Sequence, residues 1–231
     1  RRAVAVLGPP RDGRAAERTA YHAYLGRMWR EAATWSALAA ENAASVFAFA
    51  TATLLYQQAL DALEHLPLDD AVKRESVGVR LSLARVAFYI YPGRLNEWLA
   101  PAEVAARELG DETLQAMVGL AQGGSHYIQG QFKVARPLLE ALLPLAERTG
   151  NSLLVARTVN ILGRLMVFMG DVKPGLPVLA EGAARLDMVG AHNDALISQG
   201  MIGAERAYLG EFGAALDITE RVWSDSAKQA D

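Results

Sequence analysis

The chain has no cysteine among its 231 residues, and this absence removes several classes of chemistry at once. Without thiols there is no disulfide framework, no thiolate metal site and no cysteine nucleophile. An excess of one charge is also missing: 23 basic side chains stand against 26 acidic ones, for a net charge of −3. This balance gives no electrostatic reason to expect nucleic acid or an anionic membrane as a partner. The lack of cysteine fits a cytoplasmic protein.

Long hydrophobic runs are missing as well. The most apolar stretch, residues 43–56, is interrupted by Ser45, Thr51 and Thr53 and falls short of the roughly 18 residues that span a bilayer. We therefore expect no membrane insertion. The sequence has no initiator Met and no signal-peptide pattern, and it stops inside a helical pattern. We expect it to be a segment of a longer polypeptide.

Motifs for catalysis and cofactor binding are absent from the sequence. There is no GxxxxGK[ST] phosphate loop and no HExxH zinc motif. Ser125 and His126 are adjacent but lack the setting of a nucleophile elbow. The four histidines are too scattered to suggest a metal site: His22, His65, His126 and His192. The sequence predicts a segment with no catalytic, cofactor-binding or metal-binding residue.

What the sequence does contain is glycine at fixed intervals. Helix-ending glycines recur every 20 residues, at Gly110, Gly130, Gly150, Gly170, Gly190 and Gly210. The segments between them predict helices of about 17 to 19 residues. Two antiparallel helices make a 40-residue unit, and repetition at this period is typical of helical solenoids. The sequence therefore predicts an all-α fold, a right-handed α-solenoid of antiparallel helix pairs.

The same spacing divides the chain into three parts. Residues 1–13 predict an extended lead-in, residues 14–67 a group of N-terminal helices, and residues 68–231 regular repeats. The repeats are expected at 71–110, 111–150, 151–190 and, in part, 191–231. Predicted helices cover 14–26, 30–44, 47–66, 70–91, 95–109, 112–129, 132–149, 152–169, 172–189, 192–209 and 212–229. Asp111, Asn151 and Asp171 follow helix-ending glycines and are predicted N-caps.

A second set of glycines lies inside the first helix of each pair, at Gly123, Gly163 and Gly203. Such a glycine costs about 1 kcal/mol relative to alanine, so we expect a close approach of the neighbouring helix there. Prolines inside helices are confined to the second helix of each pair, which is expected to start late or to bend. They are Pro101, Pro137, Pro144, Pro174 and Pro177.

The spacing of these small residues resembles the tetratricopeptide repeat. The pattern is a Leu-Gly or Ile-Gly pair, a turn glycine, a small residue and an apolar residue. It stands as Leu162-Gly163, Gly170, Gly175 and Leu179, and again as Ile202-Gly203, Gly210, Ala215 and Ile218. The period of 40 residues is longer than the common one of this repeat class, so the units are elongated members.

A narrower resemblance covers most of the chain. The run from residues 26–33 (GRMWREAA) through residues 56–67 (YQQALDALEHLP) is similar to a segment of certain large bacterial signalling proteins, and so are residues 109–111 (LGD) and 168–171 (FMGD). Those proteins carry a class III adenylate/guanylate cyclase domain, an AAA-type ATPase and a long tetratricopeptide-like C-terminal region. The resemblance implies that this chain is such a C-terminal region, with no cyclase or ATPase motif of its own. Related helical regions follow ATPase modules in bacterial transcription regulators.

A binding surface is the most specific site that the sequence suggests. Polar and aromatic residues on first helices, facing the inner wall of a solenoid, are expected to contact a partner: Arg80, Tyr91, Tyr127, Arg157, Asn160, Arg164 and Tyr208. Arg157, Asn160 and Arg164 are spaced i, i+3, i+7 and share one helix face. Two guanidiniums and an amide can hold a carboxylate or an extended peptide backbone. The alternative is a solvated polar stripe with no partner.

The predicted function is that of a non-catalytic interaction or sensory arm of a larger bacterial signalling ATPase. The expected partner is a protein, a peptide or another domain of the same parent chain, with a small-molecule effector as a further option. One alternative is a ligand-sensing and oligomerisation arm of a bacterial transcription regulator. Another is a plain assembly scaffold.

Overall fold

The computed structural model describes residues 13–88 and 90–230, and these residues form α-helices joined by short turns, with no strand in that part of the chain. The all-α prediction is confirmed, and the helix bounds fall within a few residues of the predicted ones. The helices are α1 Gly13–Leu25, α2 Trp29–Ser45, α3 Phe49–Glu64, α4 Asp70–Ala87, α5 Leu95–Glu108, α6 Glu112–Ile128, α7 Phe132–Arg148, α8 Ser152–Phe168, α9 Val172–Met188, α10 His192–Tyr208 and α11 Phe212–Ala230. A short 3-10 turn, Pro92–Arg94, precedes α5. The predicted lead-in lies outside the described residues, except that Gly13 begins α1.

The 20-residue glycine spacing marks the helix ends. All six of these glycines have positive φ, from 63° at Gly110 to 91° at Gly170, which glycine adopts at little cost. After Gly170 the amide of Asp171 donates to the carbonyl of Met166 at 2.9 Å, closing the helix end. Arg27 and Phe47 take the same left-handed position after α1 and α2, with φ of 52° and 60°. The left-handed conformation that ends the later helices is therefore also found after the N-terminal helices, where residues other than glycine adopt it.

Aspartate and asparagine begin several of the helices. Asp111 Oδ1 accepts from the amide of Leu114 at 3.0 Å, and Asn151 Oδ1 accepts from that of Leu154 at 3.1 Å, so both predicted N-caps are confirmed. Asp171 occupies the N-cap position of α9 as predicted, but the expected capping bond is absent, because its side chain accepts no bond from the first amides of the helix. Its carboxylate instead accepts from Arg136 Nη1 at 2.8 Å.

The described helices form two compact units, α1 to α6 and α7 to α11. In each unit consecutive helices pack against one another, as a stack of helix pairs requires. The first unit has a core that includes the fully buried Leu83 and Leu99. In the second unit, Leu176 and Leu179 of α9 share a cluster with Ile202 of α10.

Helices α8 and α9 meet almost backbone to backbone. A Cβ added to Gly163 would lie 2.5 Å from the Cα of Leu179, and one added to Gly182 would lie 2.5 Å from the Cα of Asn160. Real Cβ atoms essentially never come so close, so the predicted close approach at Gly163 is confirmed. At Gly203 the nearest atoms lie at 3.3 Å, a tight but less demanding contact. The close contact between α8 and α9 thus also includes Gly182, a position that the repeat pattern does not identify.

Prolines do not shorten the helices that contain them. Helices α7 and α9 begin directly after their N-cap residues and have 17 residues, the same number as α8 and α10. Of the two predicted consequences, a late start or a bend, the late start is therefore excluded for these two helices. Pro101, Pro137, Pro144 and Pro177 are all exposed, which lets water reach the helix on the side where the ring removes a bond. Among the described helices, none has both the length and the apolar character to cross a bilayer.

Candidate binding surface

Arg157, Asn160 and Arg164 lie on one face of α8, and each contacts α10, the first helix of the next pair. Arg157 Nη2 donates to Asp194 Oδ2 at 3.2 Å. Asn160 Nδ2 donates to Ser198 Oγ at 2.8 Å, and Arg164 Nη2 donates to the same oxygen at 3.1 Å. The structure thus brings the three predicted residues together, and it shows that they join two neighbouring first helices.

Asn160 is an internal link in this arrangement. It is only 4% exposed and Ser198 is 0% exposed, so a partner cannot reach the bond between them. Ser198 Oγ in turn donates to the backbone carbonyl of Asp194 at 2.9 Å. A buried amide must be hydrogen-bonded to be tolerated, and Ser198 provides that acceptor. The packing places Asn160 as a support for the surface rather than as part of it.

Arg157 and Arg164 are open to a partner to different degrees. The Arg157 side chain is half exposed, and so is the Asp194 carboxylate that it meets. Exposed ion pairs of this kind contribute little to stability, so Arg157 can exchange Asp194 for another carboxylate at low cost. Arg164 is half-buried and is oriented by Ser198. The two guanidiniums stand about two turns apart on the same face, which suits recognition of an anionic group.

Exposed aromatic side chains end both helices, α8 and α10. Phe168, the last residue of α8, is exposed and stacks on Phe132 with ring centroids 5.8 Å apart. Tyr208 occupies the same position on α10, 40 residues later, and is 87% exposed. We name Arg157, Arg164, Phe168 and Tyr208 the α8–α10 surface.

The other predicted contacts lie in the first unit and are described by themselves. Arg80 is an internal residue, because its side chain is only 13% exposed and its Nη1 donates to the carbonyl of Trp98 at 3.2 Å. Burial lowers the pKa of the Arg80 guanidinium, and the nearby Glu64 carboxylate opposes that shift. Tyr91 is partly exposed and meets the Trp98 ring edge-on at 6.2 Å, while Tyr127 is half-buried near the end of α6.

The histidines are engaged in separate local contacts. His65 stacks on Trp29 with ring centroids 4.0 Å apart, His126 Nε2 lies 3.3 Å from Asn96 Nδ2, and His192 Nδ1 lies 2.6 Å from Asp187 Oδ1. Over residues 13–88 and 90–230, no group of three or more His, Asp or Glu side chains is placed to hold a metal ion.

Known proteins resemble this chain in fold, and the resemblance gives no information about the site. No protein-family model and no curated protein matches the chain. The chain is similar to the crystal structure of a Rap protein complexed with competence and sporulation factor, with a TM-score of 0.76 and 14% identity over 87% of this chain and 56% of that one. It is also similar to the apo form of RapI, with a TM-score of 0.73 and 14% identity over 94% of this chain and 58% of that one.

A third similar structure is BtubC (BKLC) from P. vanneervenii, with a TM-score of 0.68 and 20% identity over 99% of this chain and 91% of that one. The chain spans little more than half the length of the two Rap chains. At these identities the likeness shows the fold alone, and that fold is a tetratricopeptide-like stack of helix pairs.

Proposed function

We propose that this chain is a protein- or peptide-binding module and that the α8–α10 surface takes an acidic group of the partner. The observation that carries the proposal is the half-exposed guanidinium of Arg157 and the half-buried one of Arg164 on one face of α8, with the exposed ring of Phe168 at the end of that helix and that of Tyr208 at the end of α10. A carboxylate would pair with the guanidiniums, and an apolar side chain next to it would pack on the rings. Arginine and tyrosine are the residue types enriched at energetic centres of interfaces.

The arrangement favours binding because little has to be broken first. The partner replaces an exposed ion pair between Arg157 and Asp194, which is worth at most about 1 kcal/mol. It gains charge-assisted hydrogen bonds, each worth about 1.5 to 3 kcal/mol where water is excluded. Asn160 and Ser198 hold the face of α8 against α10 from within, so the surface does not have to form when the partner arrives.

The kind of partner is supported by the fold. A Rap protein with the same helical-repeat fold has been crystallised in a complex with competence and sporulation factor. Stacks of helix pairs present extended rows of side chains, which suit protein and peptide ligands better than they suit catalysis. No feature of the α8–α10 surface supplies a nucleophile with an adjacent base.

The proposal also covers the larger protein in which this module would act. The resemblance of residues 26–33 and 56–67 supports a regulatory arm, in the cytoplasm, of a cyclase-linked signalling ATPase. In that setting the partner, or another domain of the parent chain, would act on the ATPase through this module. A ligand-sensing arm of a transcription regulator and an assembly scaffold are the alternatives. They differ in the activity that changes when the α8–α10 surface is occupied, and a scaffold changes none.

The test uses peptides selected from a display library on the wild-type protein, with affinities measured by calorimetry. Replacing Arg157 and Arg164 by Ala should weaken the selected peptides at least tenfold, and replacing both by Lys should restore part of the loss. Arg185→Ala with Arg221→Ala is the matched control, because it removes two exposed arginines from second helices of the same unit. Equal affinity for the Arg157/Arg164 variant and the wild type would refute the site.

A stability measurement accompanies this test. Asn160 is left unchanged, since its loss would disturb α10 and confuse binding with folding. The Arg157/Arg164 double variant should keep the wild-type free energy of unfolding in urea within about 0.5 kcal/mol, because both side chains make only surface or half-buried contacts.

A further inference from the structure

A cavity of about 240 Å³ in the second unit is lined by residues of α9, α10 and α11. The lining residues of α10 are Gln199, Ile202 and Arg206, which are spaced i, i+3, i+7 and so share one face of that helix. The other lining residues belong to the two second helices: Ala180, Ala183, Ala184, Ile218 and Arg221. The cavity shares no residue with the α8–α10 surface and is a separate feature of the second unit.

Contacts within the second unit hold the three helices in place around this cavity. Ile202 is 6% exposed and lies in one cluster with Leu176 and Leu179 of α9, and Ile218 of α11 packs against the same cluster. A Cβ added to Gly203 would lie 3.3 Å from Ile218 Cγ2, so α10 and α11 are also closely packed. The cavity therefore follows from the packing of three described helices on one another.

The residues that line this cavity are smaller or more polar than those at the same columns one repeat earlier. An alanine leaves space that a leucine fills, and arginine and glutamine bring polar groups to columns that are apolar in the preceding repeat. This repeat thus combines free space with hydrogen-bond donors where the preceding one has apolar packing. The period of 40 residues pairs Ala183 with Leu143, Gln199 with Val159, Arg206 with Met166 and Arg221 with Glu181.

Two guanidiniums give the cavity a positive charge, and no lining residue is negative. Arg206 Nη1 pairs with Glu211 Oε2 at 2.6 Å, which offsets one of the two charges. The Nε of Arg206 is buried and has no hydrogen-bond partner within the described residues. Arg221 Nε donates to the carbonyl of Asp217 at 3.2 Å, which leaves its positive charge in place. A buried donor without an acceptor costs free energy, and an oxygen of a ligand would remove that cost.

We propose that this cavity binds a small ionised carboxylic acid with an apolar, aromatic or branched body. The carboxylate would accept hydrogen bonds from Arg206 and Arg221, and the body would lie against Ile202, Ile218 and the alanine side chains. A cavity of roughly 150 Å³ holds benzene. The 240 Å³ found here therefore accommodates one ring and a carboxylate. The ligand is a small molecule, which goes beyond the peptide or protein expected at the α8–α10 surface.

Both parts of the ligand are needed to match the lining. A neutral apolar molecule would leave the buried Nε of Arg206 without an acceptor. A bare anion would leave the apolar side chains of Ile202 and Ile218 uncovered. A carboxylate joined to an apolar body satisfies the donors and covers the apolar surface at the same time.

The experiment titrates benzoate into the protein and follows the NMR signals of isotope-labelled isoleucine methyl groups. The ring of a bound benzoate should shift the signals of Ile202 and Ile218, whereas the signal of Ile161 on α8 should not move. A dissociation constant in the millimolar range is expected, because benzoate has only about nine non-hydrogen atoms. Benzamide, which lacks the charge, should bind at least tenfold more weakly, and acetate, which lacks the apolar body, should shift neither signal.

Two variants test the cavity from different sides. Arg206→Met introduces the residue type that stands one repeat earlier and should weaken benzoate at least tenfold. Ala184→Leu fills the cavity from an exposed position on α9 and should weaken it as much. Both variants should keep the wild-type urea midpoint, because neither residue is buried. Arg148→Met is the matched control, since it removes an exposed arginine of α7 and should leave the affinity for benzoate unchanged.

The same measurements separate this cavity from the α8–α10 surface. The variant with Arg157→Ala and Arg164→Ala should bind benzoate as the wild type does. The variant with Arg185→Ala and Arg221→Ala should lose benzoate and keep the selected peptides, because Arg221 lines the cavity and lies outside the α8–α10 surface. The two proposals can therefore fail separately.

Three results would overturn the proposal. The first is an absence of any shift of the Ile202 and Ile218 signals at tens of millimolar benzoate. The second is equal benzoate affinity in the wild type, Arg206→Met and Ala184→Leu. The third is equal binding of benzamide and benzoate, because the guanidiniums would then play no part in recognition.

Discussion

Gly163→Ala tests the close packing of α8 on α9 with the smallest available change. The new methyl group would lie 2.5 Å from the Cα of Leu179 and 2.8 Å from its Cβ. Ordinary contact begins near 3.4 Å, and the atoms in the way belong to a helix backbone that cannot rotate aside. The two helices must therefore separate by about 1 Å along a seam that also contains Gly182, and closely packed neighbours lose contact.

The expected cost is the balance of two effects. Overpacking of a close interface typically costs about 1 to 3 kcal/mol. Replacing glycine by alanine inside a helix stabilises the folded state by about 0.5 to 1 kcal/mol, because the unfolded chain loses backbone entropy. Because backbone atoms make the clash, we place the net destabilisation of Gly163→Ala at about 1 to 2 kcal/mol. In a chain of this size this corresponds to a fall in Tm of about 2 to 8 °C.

The assay is urea unfolding followed by far-ultraviolet circular dichroism, with Gly200→Ala as the matched control. Gly200 also lies inside a helix, but a Cβ there meets nothing within 4 Å, so its replacement should stabilise the chain by about 0.5 to 1 kcal/mol. The same substitution should thus lower the free energy of unfolding at Gly163 and raise it at Gly200. If both variants gain stability equally, helix propensity alone governs these glycines and the close-contact argument fails. Gly163→Leu should be more destabilising than Gly163→Ala.

Three further predictions concern single side chains. Asn160→Ala removes the bond to Ser198 and should destabilise by about 1 to 2 kcal/mol in urea, so an unchanged midpoint would contradict its role as an internal link. Gly170→Ala places a Cβ at a φ of 91° and should cost about 1 to 2 kcal/mol in the same assay; a neutral result would show that the turn can relax. The pKa of Asp111 is lowered, first by the hydrogen bond from the Leu114 amide and then by Arg74. Its carboxylate therefore stabilises the fold at pH values above its unfolded pKa of about 3.9. This contribution is lost as the pH falls through the lowered pKa of the folded state. Asp111→Asn should therefore flatten the dependence of Tm on pH below about pH 4, and parallel profiles for the two proteins would contradict this assignment.

Helix ends were predictable because their signals are local. A glycine that enters the left-handed region ends a helix whatever packs around it, and an Asp or Asn that follows can bond to the next free amides. The pattern was incomplete where another residue takes that conformation, as Phe47 does with φ of 60°. Asp171 shows the other limit, because Arg136 on a neighbouring helix draws its carboxylate away from the cap position.

The candidate site was predictable only in part. The i, i+3, i+7 spacing correctly placed Arg157, Asn160 and Arg164 on one face of α8, since helix geometry alone decides that. Their partners, Asp194 and Ser198, were not predicted, although both lie in the next repeat and so were within reach of the 40-residue period. Arg80 was expected on a binding face and is nearly buried, because its guanidinium bonds to a carbonyl of the following helix.

The helices, their ends and the 40-residue repeat can be read from the sequence, because they follow from backbone preference and apolar spacing within a few turns of chain. Which polar side chains are buried and which stay exposed depends instead on how the helices pack. Asn160 and Arg157 stand three residues apart on one helix, yet the first is buried against Ser198 and the second is half exposed. That difference depends on how α10 lies against α8, and contacts between residues nearly 40 positions apart are what set it.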